Sequence, residues 1–237
     1  MALETIDLVK RYGGRTVVDS LSLTAERGRI IGLLGPNGAG KTTTFYMVIG
    51  FIAADAGCVR LDGLEISEMP FFRRARLGIG YLPQEPSVFS HATAEENIDI
   101  ALEGAAGAGS PRRRDELLDE FGLSALRRRQ AGSLSSGERR RLEIARSLAT
   151  SPRFVLLDEP FSGIDPISIS DLQSQILALR ERGIGIVITD HNVRDTLSIT
   201  DHAYLIDNGR LIVAGTPAEI LSDPTARRVY LGDRFRA

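Results

Sequence analysis

Lysine is nearly absent from this chain: of 29 lysine and arginine residues, only Lys10 and Lys41 are lysine. Cysteine is nearly absent too. The single Cys58 excludes an internal disulfide, fits a reducing compartment and reads as a small buried hydrophobe. Long apolar runs are missing. The longest nearly apolar stretch, Thr42 to Ala54, falls short of the roughly 20 residues that a membrane-crossing helix needs. The N-terminus lacks the apolar region of a signal peptide, so any membrane role is expected to come through a partner. No internal repeat or low-complexity segment appears. What remains is 237 residues, 43% apolar with net charge −2, enough for one large folded domain, or one with an inserted lobe. Arginine clusters at Arg73-Arg74-Ala75-Arg76, Arg112-Arg113-Arg114, Arg127-Arg128-Arg129 and Arg139-Arg140-Arg141. The near-neutral total and the acidic neighbours Asp115, Glu116, Asp119 and Glu120 predict solvated helix faces there, and no nucleic-acid partner.

Apolar strands and turn signals alternate in the first third. Leu3 to Val9, Val17 to Thr24, Ile30 to Leu34 and Gly57 to Leu61 read as strands, with turns at Gly13-Gly14, Arg27-Gly28 and Asp62-Gly63. A short helix over Met69 to Arg76 and a strand at Ile79 to Leu82 follow. From Ala94 to Ala149 the apolar spacing turns helical and predicts an inserted helical lobe, with Gly104 to Pro111 as a flexible connector. Strands are then expected at Phe154 to Leu157, Ile184 to Thr189, Ala203 to Ile206 and Leu211 to Ala214, the last two around Asp207-Asn208-Gly209. Helices are expected at Ile167 to Arg182 and Val193 to Ser198. The pattern predicts a parallel sheet with flanking helices and an antiparallel side sheet.

Within this frame, Gly35-Pro36-Asn37-Gly38-Ala39-Gly40-Lys41-Thr42 fits G-x-x-x-x-G-K-[ST], the phosphate-cradling P-loop. It stands between a buried strand and a helix, the context that the motif requires. Glycines let backbone N–H groups approach an anion, and the helix beginning near Lys41 turns its positive end towards it. A compact ammonium suits the inside of such a cradle better than a planar guanidinium. A lysine kept there by so arginine-biased a chain predicts that the site needs it.

Two further motifs carry chemistry. Phe154-Val155-Leu156-Leu157-Asp158-Glu159 is an apolar strand ending in two carboxylates, and a buried charge at that place needs a partner. In P-loop enzymes the partner is magnesium, for which Thr42 gives a hydroxyl and Asp158 a carboxylate. Glu159 is placed to take a proton from an attacking water. Leu134-Ser135-Ser136-Gly137-Glu138 precedes a helix over Arg139 to Ala149, and Ser135 with Glu138 fits a capping box.

Taken in order, these motifs resemble those of the ATP-binding-cassette (ABC) ATPases, over essentially the whole chain. Leu134 to Glu138 resembles the LSGGQ signature, with Ser136 and Glu138 as departures. Gln84, in Tyr81-Leu82-Pro83-Gln84-Glu85, resembles the Q-loop; Tyr12 resembles the adenine-stacking aromatic; Ser162-Gly163-Ile164-Asp165 resembles the D-loop; His191, in Thr189-Asp190-His191-Asn192, resembles the switch histidine. The resemblance implies an α/β P-loop NTPase of the ABC-ATPase fold: a mixed sheet core with an antiparallel β side sheet, core segments 1–90 and 150–237, and an inserted helical subdomain 91–149. It implies ATP and Mg²⁺ as ligands. Tyr12, Gly35, Pro36, Asn37, Gly38, Ala39, Gly40, Lys41, Thr42 and Thr43 would bind nucleotide, and Ser135 and Gly137 would complete the site of a second copy. Thr42, Gln84 and Asp158 would hold the metal, and Glu159, His191, Gln84 and Lys41 would serve catalysis. If Ser136 needs a positive φ, its departure costs about 1 kcal/mol or more.

Gly35 to Met47, Asp158 to Ser168, Ile188 to Arg194 and the tail Arg227 to Arg236 look like those of lipopolysaccharide-export ATPases, the tail being the discriminating piece. That resemblance implies a homodimer in the ATP-bound state, two transmembrane permease subunits, and a place on the cytoplasmic face of the inner membrane reached only through partners. Phe89, just after the Q-loop, is a candidate docking knob, the alternative being a side chain tucked into the core. The rivals are the ATPase of a branched-chain amino acid importer, a soluble ABC protein acting on ribosomes or DNA, and a P-loop kinase or GTPase. The absence of tandem cassettes and of a guanine-reading N-K-x-D motif counts against the last two.

Overall fold

The computed structural model describes residues 1–104 and 111–231. Ten strands are present among them: β1 (Ala2–Tyr12), β2 (Arg15–Glu26), β3 (Ile30–Leu34), β4 (Ala56–Leu61), β5 (Leu64–Glu65), β6 (Ile79–Leu82), β7 (Phe154–Asp158), β8 (Gly185–Thr189), β9 (His202–Asp207) and β10 (Arg210–Gly215). The helices are α1 (Lys41–Ile49), α2 (Phe71–Arg76), α3 (Ala94–Gly104), α4 (Pro111–Glu120), α5 (Ser136–Ser147), α6 (Pro166–Glu181), α7 (Val193–Leu197), α8 (Pro217–Ser222) and α9 (Pro224–Ala226). The expected strands Ile30 to Leu34 and Ile79 to Leu82 form with those bounds, while β1 and β2 run further into their hairpin than the apolar pattern reaches. Most of the Gly104 to Pro111 connector lies outside the described residues.

Six strands form the central sheet in the order β10-β9-β3-β8-β7-β6, parallel except for the antiparallel edge β10. Every residue of β3, β7 and β8 is buried, as expected of parallel strands covered on both faces. The two-residue period of a strand then divides their side chains. Ile31, Leu33, Phe154, Leu156 and Val187 face a cluster shared with α1 and the antiparallel side sheet β2-β1-β4-β5. Ile30, Val155, Leu157, Ile186 and Ile188 face the opposite cluster, shared with α3, α4, α5 and α6 through Ile98, Leu117, Leu142 and Ile176. The P-loop helix is thus enclosed between two sheets, and the helices between β6 and β7 join the other face.

Two members of the arginine clusters do not lie on solvated faces. Arg74 is 2% exposed. Its guanidinium donates to the Met47 and Val48 carbonyls at 2.7 Å each, to Met69 O at 2.7 Å and to Ser67 O at 2.6 Å. It closes the C-terminal end of α1, where carbonyls have no partner inside the helix. Burial draws its pKa down to about 10. Arg140 is the second, described below. Cys58 is half-buried on β4 and not fully buried as expected.

Arg74→Ala strands these carbonyls in the interior and is expected to destabilise the fold by about 2–4 kcal/mol in urea unfolding. Arg74→Lys, a single-point donor in place of a fork, is expected to recover less than half of that loss.

Candidate functional site

The site forms at the carboxyl ends of β3, β7 and β8. β3 delivers the loop Gly35 to Gly40, and α1 begins at Lys41. Gly40 precedes the helix with φ 105°, and a Cβ there would stand 2.7 Å from the Val17 carbonyl, so the turn admits only glycine. No side chain caps α1, and no acidic residue occupies its first turn. The starts of α5, α6 and α8, by contrast, are capped by Ser135, Asp165 and Thr216. The first N–H groups of α1 are therefore free for an anion.

Val17, Asn37, Gly38, Ala39, Gly40, Lys41, Thr42, Thr43 and Glu159 line a cleft of about 160 Å³ over this helix start. Lys41 is 7% exposed, and its ammonium donates to Gly35 O at 2.7 Å and Pro36 O at 3.0 Å. Burial lowers its pKa, while Glu159, Asp158 and Asp190 pull it back up.

Asp158 and Glu159 end β7 with different environments. Asp158 is 1% exposed, and burial pushes its carboxyl up to about 6, opposed by the Thr42 hydroxyl. Tyr81 donates to its Oδ2 at 3.4 Å, while Oδ1 is buried with no hydrogen-bond partner. Glu159 adopts φ 47°, a left-handed backbone costly for a non-glycine residue and of a kind that collects at functional sites. Its N–H donates to Thr189 O at 2.7 Å. Its Oε2 accepts from Gln84 Nε2 at 2.8 Å and faces His191 Nδ1 at 3.5 Å. The structure therefore brings Gln84, Asp158, Glu159, His191 and the P-loop together.

The other expected residues stand apart from this cleft. Ser135 caps α5, its hydroxyl accepting from Glu138 N at 3.2 Å while Glu138 Oε2 accepts from Ser135 N at 2.7 Å. Gly137 is buried against α6, where a Cβ would come within 2.6 Å of Ser168 Oγ. Neither lines the P-loop cleft. Ser136 is an ordinary first residue of the helix and does not have a positive φ, so its departure from the signature costs no backbone strain. Tyr12 sits on the β1–β2 hairpin, half exposed, with Lys10 5.5 Å from its ring centre; Val17 of the same hairpin, not Tyr12, lines the cleft.

Sequence reasoning missed Arg140. Only 7% exposed, it donates to Asp158 O at 2.9 Å, Glu159 O at 3.1 Å, Pro160 O at 3.2 Å, Pro83 O at 2.9 Å and Glu143 Oε2 at 2.9 Å. Glu143 Oε1 in turn accepts from Ser87 N at 2.7 Å. One guanidinium thus joins the signature helix, the end of β7 and the Q-loop. Its spacing to Glu143 and Ile144 along the buried stripe of α5 was the available signal.

Comparison with known proteins agrees with this geometry. Residues 18–162 match the family model described as ABC transporter, and residues 210–236 match one described as branched-chain amino acid ATP-binding cassette transporter. The tail therefore does not separate an exporter from an amino acid importer, contrary to the expectation placed on it. The chain is 52% identical over 233 residues to the lipopolysaccharide export system ATP-binding protein LptB of Escherichia coli strain K12, covering 97% of each protein. It is 51% identical to the protein of that name from Haemophilus influenzae, again covering 97% of each. A solved ATP-binding cassette of an ABC transporter in its ADP conformation superposes with a TM-score of 0.88 at 28% identity, covering 98% of this chain and 100% of that one. The uncapped P-loop helix, the paired carboxylates and the capped signature helix thus belong to a chain that is a member of the ABC transporter ATPases.

Proposed function

We propose that this chain is the ATP-hydrolysing subunit of a lipopolysaccharide exporter, working as a homodimer beneath two transmembrane permease subunits on the cytoplasmic face of the inner membrane. The observation that carries the substrate is the 51–52% identity to LptB proteins along nearly the full length of both chains. Among the described residues no helix is long and apolar enough to cross a membrane, in keeping with attachment through partners. The runner-up is the ATPase of a branched-chain amino acid importer, favoured by the match over residues 210–236 alone. Purification from membranes with identification of the bound proteins decides between them.

The dimer reading is supported by what the cleft lacks. Ser135 and Gly137, the residues expected to complete a nucleotide site, do not line the P-loop cleft of their own chain. A second copy would supply them. In this reading Lys41 and the N–H groups of α1 hold the phosphates, Tyr12 stacks on the base, and Glu159 takes the proton from the attacking water. Gln84 donates to Glu159 Oε2 at 2.8 Å and His191 Nδ1 stands 3.5 Å from that same oxygen, so both bear on the carboxylate.

The residues present fit magnesium. Among the described residues no group of three or more His, Cys, Asp or Glu side chains is gathered to hold a metal, but Mg²⁺ bound with a triphosphate needs only one or two protein carboxylates. The partnerless Oδ1 of Asp158, beside the Thr42 hydroxyl, offers that ligand, with Gln84 as the third candidate. When bound, the ion would neutralise charge on the phosphates.

Phe89 supports docking to the permease. The residue is 49% exposed, its ring under the Arg146 guanidinium at 4.9 Å. The buried Asn97 clamps its backbone, accepting from Phe89 N at 2.8 Å and donating to Phe89 O at 3.0 Å. An exposed aromatic on so firmly held a loop is presented outward and not tucked into the core.

Glu159→Gln is expected to bind ATP normally, to accumulate dimer in gel filtration and to lose about 10²–10⁴-fold in turnover; wild-type turnover would remove Glu159 from the base role. Asp158→Asn is expected to bind ATP equally with and without Mg²⁺, whereas the native protein binds more tightly with it; titration of fluorescent ATP in EDTA and in Mg²⁺ reads the difference. Phe89→Ala is expected to fold and hydrolyse ATP as an isolated chain but to co-purify with its membrane subunits in reduced yield. Undiminished recovery of the complex would end the docking idea.

A further inference from the structure

The last described segment of the chain returns to the catalytic face. After α8 and α9, the turn Arg227–Leu231 places Tyr230 and Leu231 against a buried cluster of Leu34, Leu197, Ala203, Leu205, Ile220 and Ala226. Leu34 is the last residue before the P-loop, and Leu197 ends the short helix that follows His191. Tyr230 therefore sits beneath both.

Its hydroxyl donates to the backbone carbonyl of Asp190 at 3.4 Å. Burial pushes the phenol up to about 12, while the Gly35 N–H pulls it the other way, so the proton that makes this bond stays in place at neutral pH. The Asp190 carboxylate is already engaged: Oδ2 accepts from Phe161 N at 2.9 Å and Oδ1 from Asn192 N at 2.9 Å. Both the side chain and the carbonyl of the residue before His191 are thus held, each from a different part of the chain.

His191 itself is loosely surrounded. Its side chain is 59% exposed, and its Nδ1 faces the Glu159 and Asp190 carboxylates at 3.5 Å each. Among the described residues the ring makes no side-chain hydrogen bond, which leaves the backbone that carries it as its support.

We propose that Tyr230 is a positioning residue for ATP hydrolysis: by holding the Asp190 carbonyl, its hydroxyl sets the His191 ring against Glu159. This rests on the role proposed for His191 above. The cluster under the tail is apolar, so packing alone would be served by phenylalanine, and the hydroxyl is the part left for function.

The test is Tyr230→Phe in the full-length chain, purified with its membrane subunits where it assembles with them. We expect kcat to fall about three- to tenfold, the effect of one hydrogen bond. KM for ATP should stay within about twofold and the thermal midpoint should not move. In a His191→Ala background the same substitution should cause no further loss of the residual rate. Wild-type kcat in Tyr230→Phe, an equal fold-loss in both backgrounds, or a fall in kcat that tracks a lowered thermal midpoint each overturns the proposal. A His191→Ala variant with full activity overturns the role of His191 itself, an outcome distinct from an inert Tyr230→Phe beside a crippled His191→Ala.

Discussion

The catalytic face of this protein depends on one buried guanidinium. Arg140 reaches from α5 to the carbonyls of Asp158, Glu159 and Pro160 and, on its other side, to Pro83 and the Glu143 carboxylate. Arginine can do this because its planar fork keeps its charge and offers five donors at fixed angles. Left without those acceptors the charge would be costly to bury; with them, removing it would cost about 3–5 kcal/mol. Three stretches far apart in sequence, the Q-loop, the strand end carrying the carboxylates and the signature helix, are held in one register. Glu143 and Arg146 extend the same connection to Ser87 and Phe89.

The site around that anchor is divided by environment. Asp158 is buried, with its pKa raised and one oxygen unpartnered. Glu159, one residue on, turns through a left-handed backbone to meet Gln84 and His191. Adjacent carboxylates thereby acquire different surroundings, one buried and the other paired with an amide and an imidazole. Across the cleft, the start of α1 carries no side-chain cap, and the Lys41 ammonium rests on the Gly35 and Pro36 carbonyls.

Much of this was legible in the sequence because it is local. A glycine-rich loop between an apolar strand and a helix can be read from spacing, as can the apolar strand ending in Asp158-Glu159 and the capping box of Ser135 and Glu138. What was not legible depends on distant acceptors. Arg74 and Arg140 stand in runs of arginine that look solvated, and their burial becomes sensible only when carbonyls from other elements converge on them. Their neighbours in the same runs support the local reading, as with Arg112 paired to Glu116 on the surface of α4. Tyr230 is hidden for the same reason: nothing in its own segment points to the turn at Asp190, 40 residues earlier.

The scarcity of lysine has a chemical corollary. Besides the α-amino group, Lys10 and Lys41 are the protein's primary amines. Lys10 is tethered to Asp55 and the Ala53 carbonyl, and Lys41 sits inside the phosphate cradle. Reagents and cellular enzymes that acylate amines therefore meet a surface almost devoid of targets. One of the few that exist lies where a bound phosphate tail would shield it.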